Sequence, residues 1–194
     1  MTEGHTVGTM PESNDVVLLL RKQHGQIRDL LDQVADGPAD RRRESFERLT
    51  HLLVVHETAE QEIDHTYLRR SGGDGERVAA RRTAEEDDAT RALDALVAMD
   101  PDDAGFAERF RALRRDLLDH AAAEEDEEFP LLHDMAGPAA LQAMAKATRA
   151  AEMLAPTRPH PGLDSVPKKA AAGPLAGLAD RTRDAVRAVR EHLP

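Results

Sequence analysis

Apolar residues recur along the first two thirds of the chain at the three-and-four spacing of amphipathic helices, and turn-forming residues divide the pattern into segments. Val17, Leu20, Ile27, Leu31 and Val34 form the first stripe, with Ser13-Asn14-Asp15 offering capping oxygens before it and Gly37-Pro38 stopping it. A longer helix is predicted from about Ala39 to Arg70, with Phe46, Leu49, Leu53, Ile63 and Tyr67 on one face, broken by Ser71-Gly72-Gly73-Asp74-Gly75. The third, roughly Glu76 to Met99, is more polar, yet Ala79, Ala89, Leu93 and Leu96 hold one register until Asp100-Pro101 ends it. The fourth starts around Asp103 and carries Phe106, Phe110, Leu113, Leu117 and Leu131 inward, with Phe129-Pro130 bending its last turn and Gly137-Pro138 closing it.

Four helices of this length with short connections predict an all-α fold, an up-down-up-down four-helix bundle over residues 15–136. Residues 1–14 read as a disordered lead-in, and 137–194 as a C-terminal helical extension. That extension comprises a helix from about Ala139 to Leu154, the rigid loop Ala155-Pro156-Thr157-Arg158-Pro159-His160-Pro161-Gly162, and an amphipathic helix from about Pro174 to His192. Leu175, Leu178, Val186 and Val189 give the last helix an apolar face, so the extension is expected to pack on the bundle or on a second copy as a homodimer.

Composition sharpens this picture by exclusion. With 194 residues, 40% of them hydrophobic, the chain can build one good core plus an appendage. A formal net charge of −11 disfavours nucleic acid and anionic membranes as partners, and no apolar run is long enough to span a bilayer, so a soluble cytoplasmic protein is expected. The chain has no cysteine, which leaves only nitrogen and oxygen donors for any metal.

The chemistry lies where polar residues interrupt the apolar stripes. His24 stands between Leu20 and Ile27, His56 and Glu60 between Leu53 and Ile63, Glu86 between Ala79 and Leu93, and His120 and Glu124 follow Leu117. In His56-xxx-Glu60 and His120-xxx-Glu124 the two donors are four apart and share a helix face. Taken singly, a hydrogen-bonded core histidine explains His56 or His120 better and a solvated face explains Glu124 better, while for Glu86 the two readings are about even. Taken together, three imidazoles and three carboxylates buried bare would cost more than a domain's usual stability of about 5 to 15 kcal/mol. Two cations bridged by glutamates would resolve this, and the donor set suits iron, manganese or zinc. An internal repeat reinforces it: His56-xxx-Glu60 followed by His65-Thr66-x-Leu68 parallels His120-xxx-Glu124 followed by Phe129-Pro130-x-Leu132.

The order His24, His56-Glu57-Thr58-Ala59-Glu60, an acidic helix, then His120-xxx-Glu124-Glu125-xxx-Phe129-Pro130 resembles the hemerythrin-like (HHE cation-binding) proteins. The Pro156 to Pro161 run resembles their bacterial, actinobacterial branch in particular. The resemblance implies two iron ions with a bridging oxo or hydroxo group, His24, His56 and His120 as nitrogen ligands, and Glu60 and Glu124 as bridging carboxylates. The third helix departs from the oxygen carriers, which supply two histidines there. By register Glu86 is the first candidate and Asp87 the second. Fewer imidazoles and more carboxylate favour the ferric state, which argues against reversible oxygen carriage. The branch implies reaction with nitric oxide, hydrogen peroxide or dioxygen, as a peroxidase, catalase-like or nitric oxide-detoxifying enzyme; the alternative is an oxygen- or iron-sensing module without turnover.

Other residues fall off the stripes. On a regular helix His65 lies about half a turn from the His56 face and is expected in solvent, unless a local unwinding brings it or Tyr67 to the metal. His51 and His133 are off-stripe, Glu85, Asp87 and Asp88 read as surface, and His160 as a loop residue. His56-Glu57 is not a zinc-protease motif, because Glu60 stands where the second histidine must be.

Overall fold

The computed structural model describes residues 15–154 and 175–190, so the predicted lead-in, the proline-rich loop with His160, and the ends of the last helix, including the Val189 side chain, lie outside the described residues. The described residues are helical, with no strand among them. α1 spans Val16–Asp36, and Asp15 caps it by accepting a hydrogen bond from the Val17 amide at 2.9 Å. α2 spans Ala39–Glu62, α3 Asp64–Ser71 and α4 Asp74–Val97. Gly72 and Gly73, both at positive φ, make the reversal between α3 and α4 that a side chain would resist. α5 spans Phe106–Ala123, a π-helical turn follows at Glu124–Glu128, and α6 spans Phe129–Met135. α7 is Pro138–Leu154 and α8 is Ala176–Arg190.

α1 packs on α2, α3 on α4, α4 on α5 and α5 back on α1, which closes a ring of four helical columns. These are the neighbours that an up-down-up-down order brings together. The extension folds back on this ring: α7 lies against α1 and α2, and α8 against α2 and α7. Leu141, Met144, Ala145 and Ala151 of α7 and Val186 of α8 are buried there, so the extension covers the bundle of its own chain.

Two departures from regular pitch change which residues face inward. The predicted second helix is interrupted at Ile63, where φ and ψ reach −108° and −70° and the backbone restarts as α3. The Thr66 hydroxyl donates to the Gln61 carbonyl at 3.1 Å, closing the break. In the fourth column the irregularity comes before Phe129-Pro130 rather than as a bend at it. Pro130 has no N–H for the Asp126 carbonyl and its ring crowds that oxygen, and the preceding turn widens so that the Phe129 amide bonds to Glu124. The wide turn inserts one residue into the register. Leu132, not the expected Leu131, is therefore the fully buried leucine of α6.

The core divides into two apolar clusters. One gathers Val17, Leu20, Ala59, Ile63, Leu68, Phe129 and Leu132 with α7. The other gathers Ile27, Leu31, Phe46, Leu49, Leu53, Leu93, Phe110 and Leu117. Each buried leucine or phenylalanine contributes roughly 1.5–3 kcal/mol, so the two clusters hold the columns together above and below a polar layer. That layer contains every polar residue that interrupts the stripes.

Candidate metal centre

α1 delivers His24 to the seam between the clusters, α2 delivers His56 and Glu60, α4 Glu86, and the fourth column His120 and Glu124. All six are buried, Glu60 and Glu124 completely. Asp87, the second candidate from the third helix, is exposed. His24, His56, Glu60 and Glu124 bring one donor atom each within 4.8 Å of one another, a spacing that can hold an ion. Glu86 and His120 form a second such group with Glu57, and His65, Glu124 and Glu128 form a third.

Glu124 connects the groups. One carboxylate oxygen is 3.1 Å from His24 Nε2 and the other 2.9 Å from His120 Nε2. Both approaches are within ion-pair distance, but neither has the geometry of a hydrogen bond, which leaves His24 Nε2, His120 Nε2 and both Glu124 oxygens buried without a well-formed one. The same holds for both oxygens of Glu60, for His65 Nε2 and for one oxygen each of Glu57, Glu86 and Glu128. Buried polar atoms are ordinarily satisfied, and so many orphans in one layer, all of metal-ligating type, fit a bound cation.

The outer contacts orient the rings. His24 Nδ1 donates to Glu125 at 2.9 Å, His56 Nδ1 to Gln23 Oε1 at 2.8 Å and His120 Nδ1 to Glu85 at 2.9 Å. Because these oxygens only accept, each Nδ1 carries a proton and each Nε2 is left for the interior. The partners are themselves fixed: Arg28 bonds Glu125 at 2.6 Å, the Gln23 amide donates to Glu152, and Arg82 donates to Glu85. Glu85 and Glu125 thus belong to the site, whereas Glu85 reads as surface material in the sequence.

His65 is the principal correction. It is fully buried rather than solvent-facing, with Nε2 3.1 Å from Glu128 and 3.4 Å from Glu86, and Nδ1 3.2 Å from the Thr83 hydroxyl. The break at Ile63 turns it inward, and the π-helical turn brings Glu128 to meet it. Tyr67 is not turned to the centre, since its hydroxyl donates to the Met135 carbonyl at 3.0 Å. His133 is exposed, and His51 is half-buried outside the groups.

Sequence reasoning did not single out Glu57, Glu128 or Asp64. The cue for Glu128 was Pro130, six residues after Glu124, and the cue for His65 was its place in the internal repeat behind His56-xxx-Glu60. Glu57 and Asp64 carried no signal, because each is off the apolar face of a regular helix.

Protonation shows how crowded the negative charge is. Burial, with Glu124 next to it, pushes Glu60 well above the usual carboxylate range, and burial with Glu57 pushes Glu86 up to about 8. Burial raises Glu57 to about 7, and burial beside Glu128 holds Asp64 well up. Burial would lower His120, but Glu124 and Glu57 override it and hold the ring up at about 10. Burial would raise Glu124, but His120 and His24 hold it well below the ordinary range. Burial and the neighbouring His24 ring lower His56 to about 3, so that imidazole is neutral and its Nε2 is a free donor. In the protein alone the crowded carboxylates hold their protons more tightly than usual, and a cation can take the place of those protons.

No described helix is long and apolar enough to cross a membrane. No curated protein and no solved structure matches the chain. The family model of the hemerythrin HHE cation binding domain matches residues 15–132, from the α1 cap to the buried Leu132, a span that holds all three donor groups. The chain belongs to the hemerythrin HHE cation-binding family.

Proposed function

We propose that this layer is a carboxylate-bridged di-iron centre with an oxo or hydroxo bridge, which binds or transforms nitric oxide, hydrogen peroxide or dioxygen. His24, His56, Glu60 and Glu124 would hold one ion, and Glu124 with donors drawn from His120, Glu86, Glu57, His65 and Glu128 would hold the other. The observation that carries the reading is Glu124, whose two oxygens face histidines of different columns without hydrogen-bonding either. Nitrogen and oxygen donors with carboxylate in excess favour a hard, redox-active ion in its oxidised state. When bound, iron supplies the redox change and the coordination position for a small ligand.

The residues around the centre have definable tasks. Gln23, Glu85 and Glu125 hold three rings in the tautomer that turns Nε2 inward. Leu20, Leu53, Leu93 and Leu117 are buried around the centre and leave space only for small molecules. Glu57 and Glu86, raised by burial into the range about 7 to 8, can hold or release a proton near neutral pH.

Metal analysis and an optical spectrum of protein from iron-replete cells test the assignment, followed by rapid mixing with nitric oxide and hydrogen peroxide. About two irons per chain, charge-transfer absorption and a spectral change with turnover are expected. A spectral change without turnover would favour the sensing module. Absence of bound iron would remove both.

A further inference from the structure

Beyond the ligands themselves, the described residues include a cleft of about 210 Å³ between α2, α4, α5 and α8 that runs to the polar layer. Glu57 and Glu86 form its inner wall, Leu175, Ala179 and Arg183 of the extension line another side, and Asp94 of α4 lines it as well. Asp94 is half-buried, and its Oδ1 is buried with no hydrogen-bond partner. It lies eight positions beyond Glu86 on the same helix, about 12 Å along the axis and about 80° around it. It belongs to none of the groups able to hold an ion. Arg183, the cation in this wall, is drawn to Glu62 at 3.7 Å and Asp180 at 2.9 Å, which leaves carboxylates as the unbalanced charge in a lining that is otherwise mostly apolar.

We infer that this cleft is the loading path for the metal, with Asp94 as a relay carboxylate for a hydrated divalent cation. The inference rests on the metal-centre reading. A divalent cation cannot cross an apolar wall with its full hydration shell, nor shed that shell without replacement oxygens. Asp94 Oδ1 offers the first replacement, and the unpartnered oxygens of Glu86 and Glu57 offer the next. An uncharged ligand needs no such oxygens, so the carboxylates mark a route for cations. Because α8 forms part of the lining, the C-terminal extension sets the width of the path. A second cleft, lined by Arg82, Asp119, His120 and Glu127, reaches His120 from the α4–α5 side and is the competing route. Five carboxylates line it, but Glu85, Asp88, Asp116 and Glu127 are each paired with an arginine, and no buried unpartnered carboxylate oxygen lies along it.

Full-length protein stripped with a chelator and mixed rapidly with cobalt(II), followed by visible d–d absorption, separates the two routes. Asp94→Asn, nearly isosteric and half-exposed, should fold normally and slow uptake by about tenfold at low salt, with the final number of ions and the equilibrium affinity unchanged. Ala179→Phe should narrow the cleft and slow uptake as well, while Asp119→Asn should leave the rate as it is. Unchanged uptake in Asp94→Asn, or slowing in Asp119→Asn instead, overturns the inference. A lowered final stoichiometry in Asp94→Asn also overturns it, since Asp94 would then be a ligand. If the wild-type chain takes up no cobalt by any route, the metal-centre reading itself fails, an outcome distinct from all of these.

Discussion

His65 and Glu128 meet at 3.1 Å in the bundle interior, and each is there because its own helical column loses regular pitch just before it. The break at Ile63 and the widened turn at Glu124–Glu128 lie at the same level of the bundle, on columns of the two halves of the internal repeat. An α-helix presents one inward residue every three or four positions; these two departures let each column present additional donors within a short stretch. His65→Leu and Glu128→Leu should therefore each weaken binding of one ion at least tenfold while leaving the ion held by His24, His56 and Glu60 in place. Metal titration of the two variants, read as stoichiometry, checks this. Full, tight loading in both would make the pair structural.

The stripes were legible because apolar periodicity is a property of sequence alone, and the buried polar layer was legible because His24, His56, Glu60, Glu86, His120 and Glu124 occupy stripe positions. Extrapolation at a constant 3.6-residue period then placed His65 in solvent and Leu131 in the core, and both placements failed after a change of pitch. Pro130 gave a cue to the second change, since the carbonyl four residues earlier must find relief. Ile63 gave none: an isoleucine is at home in an unbroken buried helix, and the interruption there depends on tertiary contacts. Glu85 and Glu125 were illegible for a different reason. Their role is set by the ring they bond, not by their own burial.

Gln23 illustrates an outer contact with a measurable consequence. Its amide oxygen accepts from His56 Nδ1 while its nitrogen donates to Glu152 of α7, so the ring orientation depends on the extension. Gln23→Leu removes the acceptor, frees the tautomer and leaves an N–H unpaired in the interior. Loss of such an outer contact costs about 10–100-fold in metal affinity. Competition titration against a chelator of known strength should show that loss, and Gln23→Glu combined with Glu152→Gln, which keeps both hydrogen bonds, should recover most of it.

Metal binding should release protons, and the sign follows from the groups involved. Glu86, at about 8, and His120, at about 10, each carry a proton at pH 7 in the free chain, and burial with Glu124 beside it shifts Glu60 upward as well. Each proton displaced makes affinity rise tenfold per pH unit wherever the free group is protonated and the bound one is not. Between pH 6 and 7.5 affinity should therefore rise with pH, with at least one proton released per ion. Calorimetry in buffers of different ionisation enthalpy counts those protons. A pH-independent affinity would mean these groups do not ligate.

Loading should also stabilise the fold. A ligand present at a thousand times its dissociation constant contributes about 4 kcal/mol, which in a chain of this size corresponds to about 10 °C in midpoint. A chelator in excess should lower the melting midpoint by that order, and stoichiometric cation should restore it.

Glu60 allows the cost of the centre to be separated from its use. The side chain is fully buried with both oxygens unpartnered, and Glu124, Glu57, Glu128 and Glu86 all act to raise it. In chelated protein an apolar residue of similar volume has nothing to lose at this position and removes a desolvated, repelled carboxyl. Glu60→Leu should therefore stabilise the metal-free chain by about 1–3 kcal/mol in urea unfolding, while abolishing the ion held with His24 and His56. In the presence of iron the order should reverse, with wild type the more stable, because only wild type gains the binding free energy at that position. A Glu60→Leu chain that is less stable than wild type under chelation would show that the carboxyl has a partner within the protein, and the orphaned-donor argument for a cation would fail with it.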